Sequence, residues 1–285
     1  MRLSDCALML LALVVSGPVH AQSPGPQGAE SGKMREQKWR IPGPGGALMD
    51  ATVFRPPGEA RAPLVVVNHG SPANSSERPR MTRPRFTAIS SYFVSRGYVV
   101  ALPQRRGYGA TGGHWAEDYG RCDSPDYFHA GLATAADIKA AIDYMGAQAF
   151  VAPGRTVVVG QSAGGWGTLA LSSLNPPGVS AMIDFAGGRG GHQPVVGNCS
   201  PGDLVKAAGR YGATARVPLL WITTANDSFF EPGLVARMVT AYNGAGGQAI
   251  HKALGAFGKD GHSLAGSDAG AGIWEPLVGD FMKGK

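Results

Sequence analysis

Five short apolar runs constrain this chain more than anything else in it. They are Leu64-Val65-Val66-Val67-Asn68, Tyr98-Val99-Val100-Ala101-Leu102, Thr156-Val157-Val158-Val159-Gly160, Ala181-Met182-Ile183-Asp184-Phe185 and Leu219-Leu220-Trp221-Ile222-Thr223. Runs of this length with little polar alternation read as strands buried on both faces, and such strands belong to a mostly parallel sheet with helices on either side. The intervening segments supply those helices. Helical spacing of apolar residues is expected over 83–95, 129–147, 163–174, 234–243 and 272–282, with a short helix at 203–208. A further strand is expected at 249–254. Gln37 to Ile41 and Ala47 to Arg55 alternate around Gly43-Pro44-Gly45-Gly46 and predict an antiparallel edge hairpin. The expected architecture is therefore α/β, with strand and helix alternating from Leu64 onward.

Composition narrows the function classes. Of the 285 residues, 44% are hydrophobic and 16% charged, which supplies a core and excludes charge-driven disorder. The 43 glycines carry no Gly-X-Y period, so a collagen is excluded. The net charge of +6 is scattered along the chain, which argues against a nucleic-acid surface. Met1-Arg2, an apolar stretch from Cys6 to Gly17 and Val19-His20-Ala21 read as a secretory signal over 1–21, too short for a membrane span. The expected destination is the periplasm or the medium, with no stable span after cleavage. Residues 22–34 are expected as a flexible terminus, and 35–285 as one domain with a lid-like insert at about 187–217. Cys122 and Cys199 remain after the signal. An oxidising compartment lets them pair, and the alternative is two separate buried thiols. No cysteine has metal-type spacing, and neither metal nor cofactor is expected.

The chemistry concentrates at Gly160-Gln161-Ser162-Ala163-Gly164, which ends one apolar strand and opens a helix. A tight strand-to-helix turn lifts the serine above the sheet, and the glycines give it room. The new helix directs free N–H groups at developing charge. A serine nucleophile needs a base, and the base an orienting carboxylate. In chain order these fall at Asp227, in Asn226-Asp227 after a strand, and His262, in Gly258-Lys259-Asp260-Gly261-His262 after the next. His251 lies inside a strand and is the weaker candidate base. Glu231 sits at a helix start and is the weaker acid. Oxyanion donors are expected from the backbone N–H of Ala163 and of Ser71, in His69-Gly70-Ser71-Pro72. Arg105 and Arg106 follow a neighbouring strand and could contact an acidic substrate or brace their loop. Arg189-Gly190-Gly191 reads as flexible.

These residues resemble the α/β-hydrolase superfamily, within it the dienelactone-hydrolase-like and prolyl-oligopeptidase-like esterase branch. Carrying the resemblance are Asn68-His69-Gly70-Ser71-Pro72, Arg106-Gly107-Tyr108-Gly109, Gly160-Gln161-Ser162-Ala163-Gly164-Gly165, Asn226-Asp227 and Gly261-His262. The resemblance implies an eight-stranded, mainly parallel sheet and a Ser-His-Asp triad. Dienelactone hydrolases proper use a cysteine nucleophile. Ser162 in its place favours a general carboxylesterase acting on a small-molecule ester. A small serine peptidase of the same triad and a catalytically silent binding protein are the alternatives. Oligomeric state is left open.

Overall fold

A computed structural model describes residues 23–191 and 197–284. The expected signal, 1–21, lies outside them. The sheet has nine strands in the order β1-β2-β3-β5-β4-β6-β7-β8-β9. The first three, β1 (Gly25–Ser31), β2 (Glu36–Pro42) and β3 (Leu48–Phe54), are antiparallel, and β3 joins β5 (Val99–Pro103) antiparallel as well. From β5 onward every pairing is parallel: β4 (Leu64–Asn68), β6 (Thr156–Gln161), β7 (Val179–Phe185), β8 (Leu219–Thr224) and β9 (Ala249–Leu254).

The sheet has one strand more than the eight expected, because part of the stretch read as a flexible terminus forms β1. That strand has no apolar period to announce it. Its seven residues, GPQGAES, pair through their backbone with β2, and Glu30 bonds Arg35 and Arg55. A solvated edge strand needs neither apolar face nor β-branching.

Among the described residues, six α-helices cover the sheet. Helices α2 (Tyr127–Gly146), α3 (Ala163–Ser172), α4 (Pro201–Gly212) and α5 (Pro232–Gly244) enclose one core, which includes Trp166, Trp221 and Tyr211. Helices α1 (Thr87–Val94) and α6 (Asp268–Met282) enclose the other, around Phe93, Phe185 and Trp274. Helix α1 begins later than its periodicity suggests, because Phe86 adopts φ 38° directly after Pro84-Arg85. Helix α4 is twice the length read from the sequence.

Strand order reverses at β4. The chain passes from β4 to β5 on one side, then crosses to β6 on the other. The carboxyl ends of β4 and β6 thus diverge into a crevice, where ligand sites of open α/β sheets lie.

Candidate active site

Two loops meet at that crevice. After β6 the chain turns straight into α3, and Ser162 occupies the turn with φ 55° and ψ −120°. A serine in this region costs of order 1–3 kcal/mol and persists only where its surroundings impose it. Here its N–H donates to Phe185 O at 2.9 Å, and its carbonyl accepts from Trp166 N at 2.9 Å and Gly188 N at 3.2 Å. Glycine is required on both sides. A Cβ at Gly160 would strike Gly164 O and Thr168 Oγ1, and one at Gly164 would strike the carbonyls of Asn68 and His69. Helix α3 therefore begins pressed against the loop after β4. Ala163 N–H, in its first turn, has no intrahelical acceptor by helix geometry.

Strands β8 and β9 supply the other polar pair. His262 Nδ1 lies 3.0 and 3.1 Å from the two carboxylate oxygens of Asp227. Since a carboxylate only accepts, Nδ1 carries the proton and Nε2 presents a lone pair. Asp227 Oδ1 also accepts Phe229 N at 2.8 Å and Phe230 N at 3.0 Å. The Phe229 ring stacks on the imidazole at 4.2 Å between centroids. Asp260, a loop residue to sequence inspection, has a defined structural part. It accepts His262 N at 3.0 Å and both the N–H and hydroxyl of Ser228. Gly261 is packed so closely that a Cβ would overlap Thr224 Oγ1 and Asn226 Oδ1. The competing candidates lie elsewhere. His251 Nε2 pairs with Thr223 Oγ1 on the sheet, and Glu231 stands at the N-cap position of α5 with no capping bond from its side chain.

A cavity of about 200 Å³ opens at Ser162, lined among others by Ser71, Ala163, Trp115, Phe229 and Phe230. The two aromatic residues that bracket His262 thus also face the serine, and both expected oxyanion donors border the same space. A second, wider groove of about 550 Å³ lies beyond Ser71 and Pro72, against Gln161, Phe86 and Gly266.

Sequence inspection missed what holds this wall in place. Arg105 is fully buried and does not face the cavity. Its guanidinium bonds Glu117 and, at 2.7 Å, the carbonyl of His69. Arg189, read as part of a flexible stretch, is 4% exposed and bonds the same Glu117 and Thr134 Oγ1. Tyr108 OH donates to Glu117 at 2.8 Å. Burial alone would raise Glu117, but the two guanidiniums hold it well below the usual carboxylate range. Arg106 pairs with buried Asp137 instead. Burial pushes His69 down to about 3, and the Arg105 charge adds to the effect. Neutral His69 donates from Nδ1 to Gly70 O at 2.6 Å and accepts Arg105 N–H at Nε2 at 3.2 Å. The oxyanion-type loop is thereby anchored to the charge network. Glu117 carried no sequence signal, because nothing in the Gly-rich stretch around it has a period.

The structure also joins Cys122 to Cys199, with Cα atoms 4.9 Å apart. The bond ties the segment after Glu117 to the segment after Arg189. Among the described residues, no helix is long and apolar enough to cross a membrane, and no group of three or more His, Cys, Asp or Glu side chains could hold a metal ion.

Comparison with known proteins bears on the fold. Residues 84–177 match the model of the prolyl oligopeptidase family. No curated protein sequence matches the chain. Among solved structures, a puromycin-hydrolyzing peptidase of Mycobacterium tuberculosis is similar with a TM-score of 0.58 at 22% identity, over 78% of this chain and 35% of that one. Dipeptidyl peptidase 4 of Porphyromonas gingivalis gives 0.65 at 19% identity, over 88% and 36%. An acetyl xylan esterase from Paenibacillus sp. R4 gives 0.65 at 16% identity, over 94% and 89%. The chain spans about a third of the length of the two peptidases, and most of the length of the esterase. It has the α/β-hydrolase fold and resembles the branch that holds these peptidases and esterases.

Proposed function

From a chain of α/β-hydrolase fold, we propose a serine hydrolase that cleaves carboxylic esters through an acyl-enzyme. The observation that carries the reading is Ser162, held at φ 55° at the head of α3 on the wall of a cavity. Strain of that kind gathers at functional sites.

In the proposed mechanism Ser162 Oγ attacks the ester carbonyl while His262 Nε2 takes its proton. Asp227, hydrogen-bonded at Nδ1, keeps the lone pair on Nε2 and stabilises the imidazolium. The backbone N–H groups of Ala163 and Ser71 receive the oxyanion. Collapse expels the alcohol, which takes the proton from His262, and water then frees the acid by the same steps in reverse. Since Ser71 acts through its backbone, Ser71→Ala leaves turnover little changed. The proposed catalytic unit is a single domain that includes β1, and α4, inside the stretch 187–217 read as a lid, packs into its core. The proposed destination is the periplasm or the medium, and a disulfide fits an oxidising compartment.

A serine peptidase with the same residues is the second reading, favoured by the prolyl oligopeptidase match over 84–177. The ester reading is preferred because the chain spans 89% of the esterase but only 35% and 36% of the two peptidases. A fluorophosphonate probe tests the shared chemistry: it should label the native protein and not Ser162→Ala. Turnover of 4-nitrophenyl acetate against an aminoacyl anilide separates the readings. Absent labelling, with ester turnover that survives Ser162→Ala, overturns both.

A further inference from the structure

The cavity at Ser162 has a charge imbalance that the proposed chemistry does not use. Behind it lie Arg105 and Arg189, with Glu117 as their shared carboxylate. Two cations on one anion leave a buried positive charge, and Arg189 Nε has no hydrogen-bond partner. At the mouth lies Arg78, whose guanidinium sits over the Trp115 ring at 3.5 Å, with the Arg189 guanidinium 5.8 Å from the same ring. Among the described residues, no carboxylate comes within ion-pair distance of Arg78. Its neighbours in sequence do find partners: Arg83 and Arg85 both pair with Glu36. Asp118 also lines the cavity, but its Oδ1 is taken by Gly120 N–H at 2.9 Å. Counting Arg78, Arg105 and Arg189 against Glu117 and Asp118 leaves one positive charge uncompensated.

We infer that this cavity binds a carboxylate on the acyl part of the substrate, with Arg78 as the residue that recognises it. The inference rests on the proposed hydrolase reading and names its substrate class: half-esters of short dicarboxylic acids. The guanidinium rests over the indole, and a guanidinium so placed can take a carboxylate by paired hydrogen bonds. Geometry assigns the acyl side. Both proposed oxyanion donors, Ala163 and Ser71, border this cavity. The wider groove shares Ser71 with it and is lined besides by Gln161 and Gly266, whereas Phe229 and Phe230, which pack on the His262 ring, line the cavity. The groove is the roomier of the two spaces for a leaving alcohol, and Gly266 on its wall belongs to the 3-10 turn that carries His262. The acyl chain is left to the cavity, and about 200 Å³ suits a short one.

The test uses two 4-nitrophenyl esters of equal length, one of glutaric acid and one of its terminal amide. The native enzyme should favour the acid at least tenfold in kcat/KM, with the preference shrinking as salt rises. Arg78→Gln should bring the ratio close to one, and Arg78→Lys should keep part of it. A native ratio of one or less, or a ratio that Arg78→Gln leaves unchanged, overturns the inference. Calorimetric titration of Ser162→Ala with monomethyl glutarate and with its amide reads the same site without turnover. Tighter binding of the carboxylate, abolished in Ser162→Ala/Arg78→Gln, supports it, and equal binding overturns it. Probe labelling and ester turnover without a carboxylate preference sink the anion site alone. Absent labelling with a retained preference in the titration sinks the hydrolase alone.

Discussion

The two walls of the crevice are built in different ways. On one side His69, Arg105, Glu117 and Arg189 come from three separate loops, with 72 residues between Glu117 and Arg189. Their charges are almost wholly buried, and each group depends on another for its compensation. On the other side Asp227, Asp260 and His262 lie within 35 residues, and the carboxylates are met largely by backbone N–H groups of their own loops. A buried charge network loses far more when one member is removed than its net contribution to stability. Carboxylates held by local amides can change chemistry while the loop keeps its shape. Substitutions on the first wall should therefore appear as lost stability, and on the second as lost rate.

The largest effect expected is Asp227→Asn. An asparagine oxygen can still accept from Phe229 and Phe230, so the loop stays folded. Its amide presents donors to Nδ1, which places the imidazole proton on Nε2, where a lone pair is needed. Ester turnover should fall by about 10⁴-fold with little change in the denaturation midpoint. A large loss of stability with this variant would erase the contrast between the walls.

Glu117→Gln attacks the other wall. It leaves Arg105 and Arg189 buried against a neutral amide, and breaking a buried charge pair costs about 3–5 kcal/mol. Urea denaturation measures it directly. A variant within about 1 kcal/mol of the native protein would mean that this wall is as forgiving as its counterpart.

The disulfide sharpens the same point, because Cys122 and Cys199 follow the loops that Glu117 and Arg189 already join. Replacing both by serine removes a crosslink across 77 residues, a change of roughly 2–4 kcal/mol for bridges in general. With Glu117 intact, the ion pair still ties those loops. The loss should be smaller than for Glu117→Gln and should raise KM more than it lowers kcat, since the loops border the cavity and not the imidazole.

The contrast also explains what could be read from the chain. The apolar runs, the Gly160–Gly164 turn and the order of Ser162, Asp227 and His262 are local patterns, and the structure places those residues on the elements expected for them. Asp260 was legible only as a neighbour of His262, though it braces that loop. Glu117 and Arg189 were illegible, because their meaning lies in each other, 72 residues apart. Its place in the sequence leaves Arg105 between substrate contact and brace. Only its burial beneath the His69 carbonyl decides for the brace. The strand β1 escaped notice for the opposite reason: an edge strand is specified by backbone pairing, which leaves no mark on side-chain periodicity.

The smallest effect separates the two histidines. His262 faces a carboxylate, whereas His69 faces the Arg105 backbone N–H and lies near its guanidinium. In the unfolded chain an imidazole takes up a proton below about pH 6.5. In the folded protein His69 does so only near 3, chiefly because it is buried. Between those limits the unfolded state binds more protons, so stability falls as pH falls. The loss amounts to about 1.4 kcal/mol at pH 5.5 and grows by about as much for each further unit toward 3. His69→Gln cannot titrate and should lack this component. Whatever gap separates the two proteins at pH 7.5 should narrow by about 1.4 kcal/mol at pH 5.5, read by urea denaturation at both values. Taking the difference cancels the carboxylates that both proteins share. A gap that stays constant would mean that His69 accepts a proton in the folded state, beside two guanidiniums. The charge balance of that whole wall would then have to be drawn again.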